Sequence, residues 1–461
     1  MIVPRTRLLL WFALIVVPFG TVIGVLPGVT VIVLTAIVLF VLALIIDGGL
    51  ATQTLRGTTI ELSPLVRGTQ ERPFIITVRV GNPSQLARRL RIALAFPPEL
   101  APAVDEFTVD LPANSEWSAF DWNCTASRRG QFRITSARVE AASPLGFWSR
   151  WNTVPVESEV RVYPNLLRER NSLAALFLNR GAFGVHAQRQ IGRGREFEKL
   201  REYIPGDSFE DVHWKATAKR GHPVTKLYQI ERTQEVYVII DASRLSARPV
   251  GRTSNDEDRA QEAPLHSPRD PQPSTTLERF ITAALVLGLA AEQQGDLFGL
   301  LTFSDRIEAF LRARNGAAHY HACRDALYTL QAREVAPDFD ELSTFIRLRL
   351  RRRALLLFLT SLDDPVAAES FVRNMDLLRR QHLVLVNVLQ PPGVRPIFSN
   401  EKVATASELY AELAGHMRWQ ALRELEKFLG RRGVRLSLLS SERLAVDLVS
   451  EYVNVKQRQV L

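Results

Sequence analysis

The residue types that could do chemistry are concentrated between Gly194 and Ser243. Arg201, Glu202 and Tyr203 lead into Pro205-Gly206-Asp207, and Asp211-Val212-His213-Trp214-Lys215 follows. Proline presets φ and glycine permits positive φ, so the middle piece reads as a turn between two charged and aromatic segments. As chemistry, Glu202 or Asp207 would be a general base and His213 an acid. No nucleophile is paired with an oriented base, however, and neither G-x-S-x-G nor H-E-x-x-H occurs. The competing reading is a network that joins two domains or meets a partner, with Arg201 and Lys215 satisfying carboxylates. That reading is carried forward, and no residue is assigned a catalytic role.

The same stretch ends in Val236-Tyr237-Val238-Ile239-Ile240 and then Asp241. An apolar, β-branched run that stops at an aspartate predicts a buried strand with a carboxylate at its C-terminal edge, where open α/β sheets place ligands. Other constellations are thinner. His319 and Cys323 would share one helix face, but His321 diverges from it and a third ligand is missing. The only other cysteine is Cys124, so no spacing suits structural zinc. Arg347, Arg349, Arg351, Arg352 and Arg353 form a basic run that reads as a solvated helix end, with phosphate or anionic lipid as the alternative. Gly192-Arg193-Gly194-Arg195 lacks the spacing of a nucleotide-binding loop. Nucleic-acid binding rests on charge alone and is set aside, and no small-molecule substrate is evident.

The elements that must position these residues follow from composition. The chain has 461 residues and a net charge of +9, enough for about two to three domains. The charge fits a membrane protein with a basic cytoplasmic face. Residues 1–50 read as a transmembrane hairpin. Leu8–Leu26 and Val29–Ile46 are apolar and uncharged, Pro27-Gly28 breaks them, and Arg5, Arg7 and Arg56 hold both ends in the cytoplasm. A signal peptide with one span, or a hairpin that dips in without crossing, are the alternatives. Residues 58–164 hold short β-rich pieces such as Phe74–Val80 and Leu90–Phe96, which predict a β-sandwich. Its aromatics Trp117, Trp122, Phe147, Trp148 and Trp151 read as core. Residues 165–235 form a connector with one helix near Leu173–Leu178. Residues 236–461 alternate strands with helices, which predicts a mainly parallel sheet covered on both faces, interrupted by a disordered insertion at 247–274 rich in Pro, Ser, Arg and Asp.

The pattern G-x-E-F, L-R-E-Y-x-P-G-D and W-K-A-x-A, followed by a strand and D-x-S, resembles the DUF58 family over about residues 190 to 390. The resemblance implies a membrane-anchored bacterial protein with a von Willebrand factor A-like (vWA-like), Rossmann-type sheet. It brings no established activity. It implies that Arg201, Glu202, Tyr203, Gly206, Asp207, Trp214 and Lys215 form an interaction surface. In vWA domains a divalent cation is held by D-x-S-x-S, a loop threonine and a further aspartate. Asp241 and Ser243 match that pattern, but Leu245 replaces the second serine. Asn315-Gly316-Ala317-Ala318 stands where the threonine loop would be, and Ser361 where the second aspartate would fall, with Asp363 and Asp364 close by. The metal site therefore reads as degenerate, and no cofactor is expected, Mg²⁺ being the ion an intact site would take. A MoxR-type AAA+ ATPase is the partner that the resemblance implies, beside the lipid bilayer. The expected function is a multi-pass, inner-membrane, non-enzymatic adaptor with its soluble domains in the cytoplasm. The alternatives are a divalent-metal-dependent ligand-binding module and a hydrolase using Asp207 or Glu202.

Overall fold

The structure, a computed structural model, describes residues 1–25, 30–85, 87–167, 191–204, 208–229, 234–250, 274–362, 364–397, 399 and 406–457, with backbone alone at 21–25, 191–199, 227–229 and 457. They divide into one unit over Met1–Asn165 and a second that begins at Leu166. Gly206, Asp207, Asp363, the helix expected near Leu173–Leu178 and most of the expected insertion lie outside the described residues.

The N-terminal unit starts with a short strand, β1 (Ile2–Pro4), and two helices, α1 (Thr6–Val25) and α2 (Thr30–Ala51). Among the described residues only α2 is long and apolar enough to cross a membrane, whereas the apolar stretch described in α1, Thr6–Gly20, is shorter. Proline at position 18 also removes a backbone donor from α1. The strands that follow are β2 (Thr59–Leu62), β3 (Leu65–Thr69), β4 (Pro73–Gly81), β5 (Arg88–Leu94), β6 (Leu100–Pro102), β7 (Phe107–Leu111), β8 (Trp117–Ala126), β9 (Gly130–Ala142) and β10 (Trp148–Tyr163). They form one sheet in the order β1-β10-β9-β5-β7, with β3 beside β10, and another in the order β2-β4-β8-β6. Strand periodicity explains the core. Phe74, Ile76, Val78 and Val80 of β4 point inward while Ile75 and Arg79 point out, and Leu90, Ile92, Ile134, Val139, Val160 and Val162 meet them. Of the five aromatics expected in this core, Trp122 is buried, Phe147 and Trp148 are half-buried, and Trp117 and Trp151 are exposed.

The C-terminal unit opens with an antiparallel ribbon of β11 (Ile191–Glu202) and β12 (Val224–Gln229), with α3 (Trp214–Arg220) between them. Next come β13 (Glu235–Asp241), α4 (Thr276–Gln293), β14 (Leu297–Phe303), β15 (Ile307–Arg314), α5 (Ala317–Leu327), α6 (Phe339–Arg349), β16 (Leu355–Thr360), α7 (Pro365–Leu378), β17 (Leu383–Leu389), α8 (Ala406–Arg431), β18 (Arg435–Leu439) and α9 (Leu444–Gln457). The sheet order is β15-β14-β13-β16-β17-β18. Helix starts are encoded locally. Thr275 caps α4 by accepting from the Glu278 amide, and Asp364 caps α7 with Pro365 behind it. Successive residues of β13 feed opposite faces: Val236, Val238 and Ile240 pack with α4 and α9, and Tyr237 and Ile239 pack with α6 and α7.

The expected fold class needs correction. An α/β chain built on a mainly parallel, Rossmann-type vWA-like sheet behind a two-helix transmembrane hairpin is not what the structure holds. Between named strands, nine pairings are antiparallel and five are parallel. Residues 59–163 of the N-terminal unit are all-β and mostly antiparallel. The connector contributes a ribbon of its own, and even the C-terminal sheet closes one edge with antiparallel β15. The reason is connectivity. Short links favour antiparallel neighbours, helix crossovers supply the parallel ones after β13, and β3 joins β10 in parallel through the intervening strands. One candidate spanning helix replaces the pair.

Candidate functional site

The signature residues sit on the β11–β12 ribbon and the segment it encloses. Two backbone bonds gather them. The Tyr203 amide donates to the Pro223 carbonyl (3.0 Å) and the His213 amide to the Val224 carbonyl (2.8 Å). Between these anchors, a 3-10 turn at Phe209–Asp211 is capped by Ser208, and the Tyr203 and Phe209 rings lie 6.1 Å apart. Ile204, Phe209 and Trp214 are 56%, 73% and 67% exposed, unusually open for large apolar side chains. Lys215 is exposed beside them, and Arg201 donates to the Glu202 carbonyl (3.0 Å). Glu202 faces His222 at 3.5 Å on an open surface. His213 accepts from the Ala216 amide through Nδ1 (3.1 Å), so it acts as the N-cap of α3. The sequence reading picked Tyr203 and Trp214 but missed Ile204 and Phe209. Their signal was apolar type inside a polar, turn-rich segment.

Asp241 ends β13 fully buried. One carboxylate oxygen accepts from the Ser243 amide (2.9 Å) and the other from the Thr360 hydroxyl (2.7 Å), while its carbonyl accepts from Ser246 Oγ (2.6 Å). Burial pushes its carboxyl above the ordinary value, and the bonds from Ser243 and Thr360 pull the other way. Ser243, also buried, caps the following 3-10 turn by accepting from the Leu245 amide. Asp364 accepts from the Val366 amide (3.0 Å) and pairs with Arg244 at 3.3 Å. Ser361 is buried next to Thr360.

A segment from Arg333 to Asp338 closes over this edge. The Arg333 amide donates to the Ala242 carbonyl (2.8 Å), the Arg244 amide to the Val335 carbonyl (3.0 Å) and the Asp338 amide to the Ser304 carbonyl (2.9 Å). Arg333 also bridges Asp305 (2.5 Å) and Glu308 (3.0 Å), and the Ser304 hydroxyl, with one proton to donate, lies within hydrogen-bond reach of both carboxylates. The Ser304 hydroxyl, and after it Arg333, hold Asp305 below the ordinary carboxylate range.

These residues do not fit a divalent ion. Both Asp241 oxygens already accept hydrogen bonds in a fully buried setting, and the Asp364 carboxylate is taken up by a helix cap and an arginine. The loop expected to offer a threonine is at the wrong end. Arg314 pairs with Phe298 at the start of β14, so Asn315–Ala318 lies opposite the edge where Asp241 pairs with Phe303. The threonine that does reach Asp241 is Thr360, the last residue of β16. It stands next to Ser361, the position the sequence offered instead.

The remaining candidates have structural partners. His319 Nε2 lies 2.8 Å from the Phe298 carbonyl and 3.6 Å from the Cys323 sulfur. Burial pushes the Cys323 thiol up to about 12. Among the described residues, no group of three or more His, Cys, Asp or Glu side chains could hold a metal ion. Arg347, Arg349, Arg351, Arg352 and Arg353 are exposed at and beyond the C-terminus of α6.

Residues 199–263 and 270–395 match the family model described as protein of unknown function DUF58. Over these residues the chain is DUF58 sequence. The match includes the exposed ribbon segment and the Asp241 edge, so both candidate surfaces lie within DUF58 sequence. No curated protein matches the chain. Among solved structures, proximal thread matrix protein 1 from the mussel byssus is 12% identical, covering 48% of this chain and 45% of that one at a TM-score of 0.24. This DUF58 chain therefore spans less than half the length of that structure. WR4, a C. elegans MSP family member, is 12% identical over 22% of this chain and 96% of its own (TM-score 0.15). The YadV chaperone is 12% identical over 23% and 51% (TM-score 0.15). Likenesses of this size say nothing about activity.

Proposed function

We propose that this DUF58 protein is a membrane-anchored, non-enzymatic adaptor whose β11–β12 segment docks a protein partner. The observation that carries the reading is the exposure of Ile204, Phe209 and Trp214 inside the family's signature. Aromatic side chains that give up apolar area to solvent within a small, backbone-anchored segment are what interface hot spots are made from. The apolar α2 supports a membrane anchor. Arg56, just beyond α2 on the side of the β-rich region, favours globular parts on the cytoplasmic side of a bacterial inner membrane. The hydrogen-bonded Asp241 edge favours a structural role for that carboxylate over ion-dependent binding.

The partner we infer is a MoxR-type AAA+ ATPase, on the strength of the family resemblance alone. The test is gentle crosslinking of the full chain in native membranes with nucleotide present. We expect an AAA+ protein to be captured, and the double variant Phe209→Ala/Trp214→Ala to reduce capture at least about tenfold, as removal of two hot-spot aromatics would. Because both side chains are exposed, its stability should stay within about 0.5 kcal/mol of the parent's. Capture unchanged in the double variant would move the docking surface elsewhere. No AAA+ protein at all would remove the partner.

A further inference from the structure

The N-terminal unit contains a cleft of about 470 Å³ between the start of α1, the last turns of α2 and the loop before β10, lined by Arg7, Leu10, Trp11, Phe40, Ala43 and Phe147 together with Leu145. We propose that this cleft binds one anionic phospholipid, its phosphate on Arg7 and its acyl chains along Leu10, Trp11, Phe40 and Ala43. The inference rests on the membrane-anchor reading above, but it does not need α1 to cross the bilayer.

The walls are fixed from both sides. Asp47, buried in α2, accepts from Ser143 Oγ (2.6 Å), from the Leu145 amide (2.9 Å) and from the Phe147 amide (3.3 Å). Trp148 Nε1 donates to the Leu44 carbonyl (3.0 Å). On the other side the Arg5 amide donates to the Phe147 carbonyl (2.9 Å), and β1 pairs with β10. Phe40 meets Phe147 edge to face at 6.1 Å. The loop that closes the cleft is thus tied to α2 and to the residues just before α1.

The lining is polarised as a lipid is. Arg7 rests against Gly146, level with the Asp47 network. One turn further along α1 stand Leu10 and Trp11, and about two turns back along α2 stand Phe40 and Ala43, so the cleft runs from a cation to purely apolar walls. The Asp47 carboxylate is consumed by the loop. The Arg7 guanidinium has neither a hydrogen bond nor an ion pair among the described residues, so it is available to an external anion. A guanidinium beside apolar helices at a membrane surface suits a phosphate diester bearing acyl chains, with charge and apolar contact acting together. Trp11, half exposed beside it, is of the type that settles at the headgroup level.

The test uses the full-length chain in mild detergent, with phosphatidylglycerol or phosphatidylcholine of identical acyl composition added back and bound lipid counted by native mass spectrometry. We expect phosphatidylglycerol to be retained in preference to phosphatidylcholine. Arg7→Ala should lower that preference roughly fivefold, the size expected for one basic residue at an anionic surface. Arg7→Lys should restore most of it, and Ala43→Trp should reduce retention of phosphatidylglycerol by filling the apolar half. A preference unchanged in Arg7→Ala overturns the inference. Flotation of the same chain with vesicles separates the two levels. A chain that floats but shows no preference for phosphatidylglycerol loses the lipid site and keeps the anchor. A chain that does not float loses both.

Discussion

Asp241 is held by hydrogen bonds whose donors come from its own turn and from the end of a neighbouring strand, and this sets what each substitution should do. Because burial raises its carboxyl, the folded chain keeps a proton there at pH values where the unfolded chain has released it. That contribution to stability is complete below the unfolded value. It is lost as pH rises from about the ordinary value of 3.8 through the higher folded value. We expect Asp241→Asn to remove this slope, so that urea unfolding at increasing pH shows the variant gaining on the parent. Asp241→Ala instead leaves the Ser243 amide and the Thr360 hydroxyl buried without an acceptor, at about 1–3 kcal/mol for each group. Calorimetric titration of Mg²⁺ into the full chain should give no saturable heat. Saturable binding that disappears in Asp241→Ala would return the metal reading to consideration. The aspartate itself was legible as the end of an apolar run. Its partner Thr360 was not, since a separation of 119 residues leaves no local trace.

At the level of elements, the sheet depends on close approach at one glycine. Gly299 in β14 pairs with Tyr237 in β13, and a Cβ there would lie 2.4 Å from the Tyr237 ring and 3.0 Å from the Ala313 amide. The Tyr237 hydroxyl accepts from that amide (3.1 Å), so the ring cannot swing away without losing the bond to β15. Gly299→Ala should destabilise by about 1–3 kcal/mol through overpacking, read as a lower urea midpoint with an unchanged slope. Strand and helix types in this half followed from period and capping: Val236–Ile240 is β-branched apart from Tyr237, and Thr275 precedes Glu278 by three residues. The ribbon of β11 and β12 escaped the sequence reading because its strands are charged and lack strict alternation. The two apolar N-terminal runs looked equivalent by composition, yet only α2 has the described length and hydropathy to cross a membrane.

On the scale of the molecule, the two units have separate cores with no shared residue. Closure of the C-terminal unit depends on α9. Asp296, almost fully buried before β14, accepts from the Tyr452 hydroxyl and from Lys456 Nζ (2.8 Å), and its other oxygen accepts from the Gln234 amide (3.3 Å). Burial, and after it the Asp296 charge, push the Tyr452 phenol upward. Lys456→Ala should cost about 3 kcal/mol by leaving the Asp296 carboxylate without its cation. We expect scanning calorimetry to show that loss in one transition while a second, belonging to the N-terminal unit, stays in place. Lowering both equally would contradict independent cores.

The sequence by itself determined those properties that depend on near neighbours. These are the apolar length of α2, the burial of β13, the caps of α4 and α7, the β-rich texture of residues 58–164 and the DUF58 signature. Tertiary structure alone decided which donors saturate Asp241, that Arg333–Asp338 closes over it, that Asn315–Ala318 lies at the opposite end of the sheet, and that antiparallel pairing prevails across the chain. The physical reason is range. Period, capping and propensity act over a few residues, whereas hydrogen-bond partners and strand neighbours are assigned by the order in which distant segments enter a sheet.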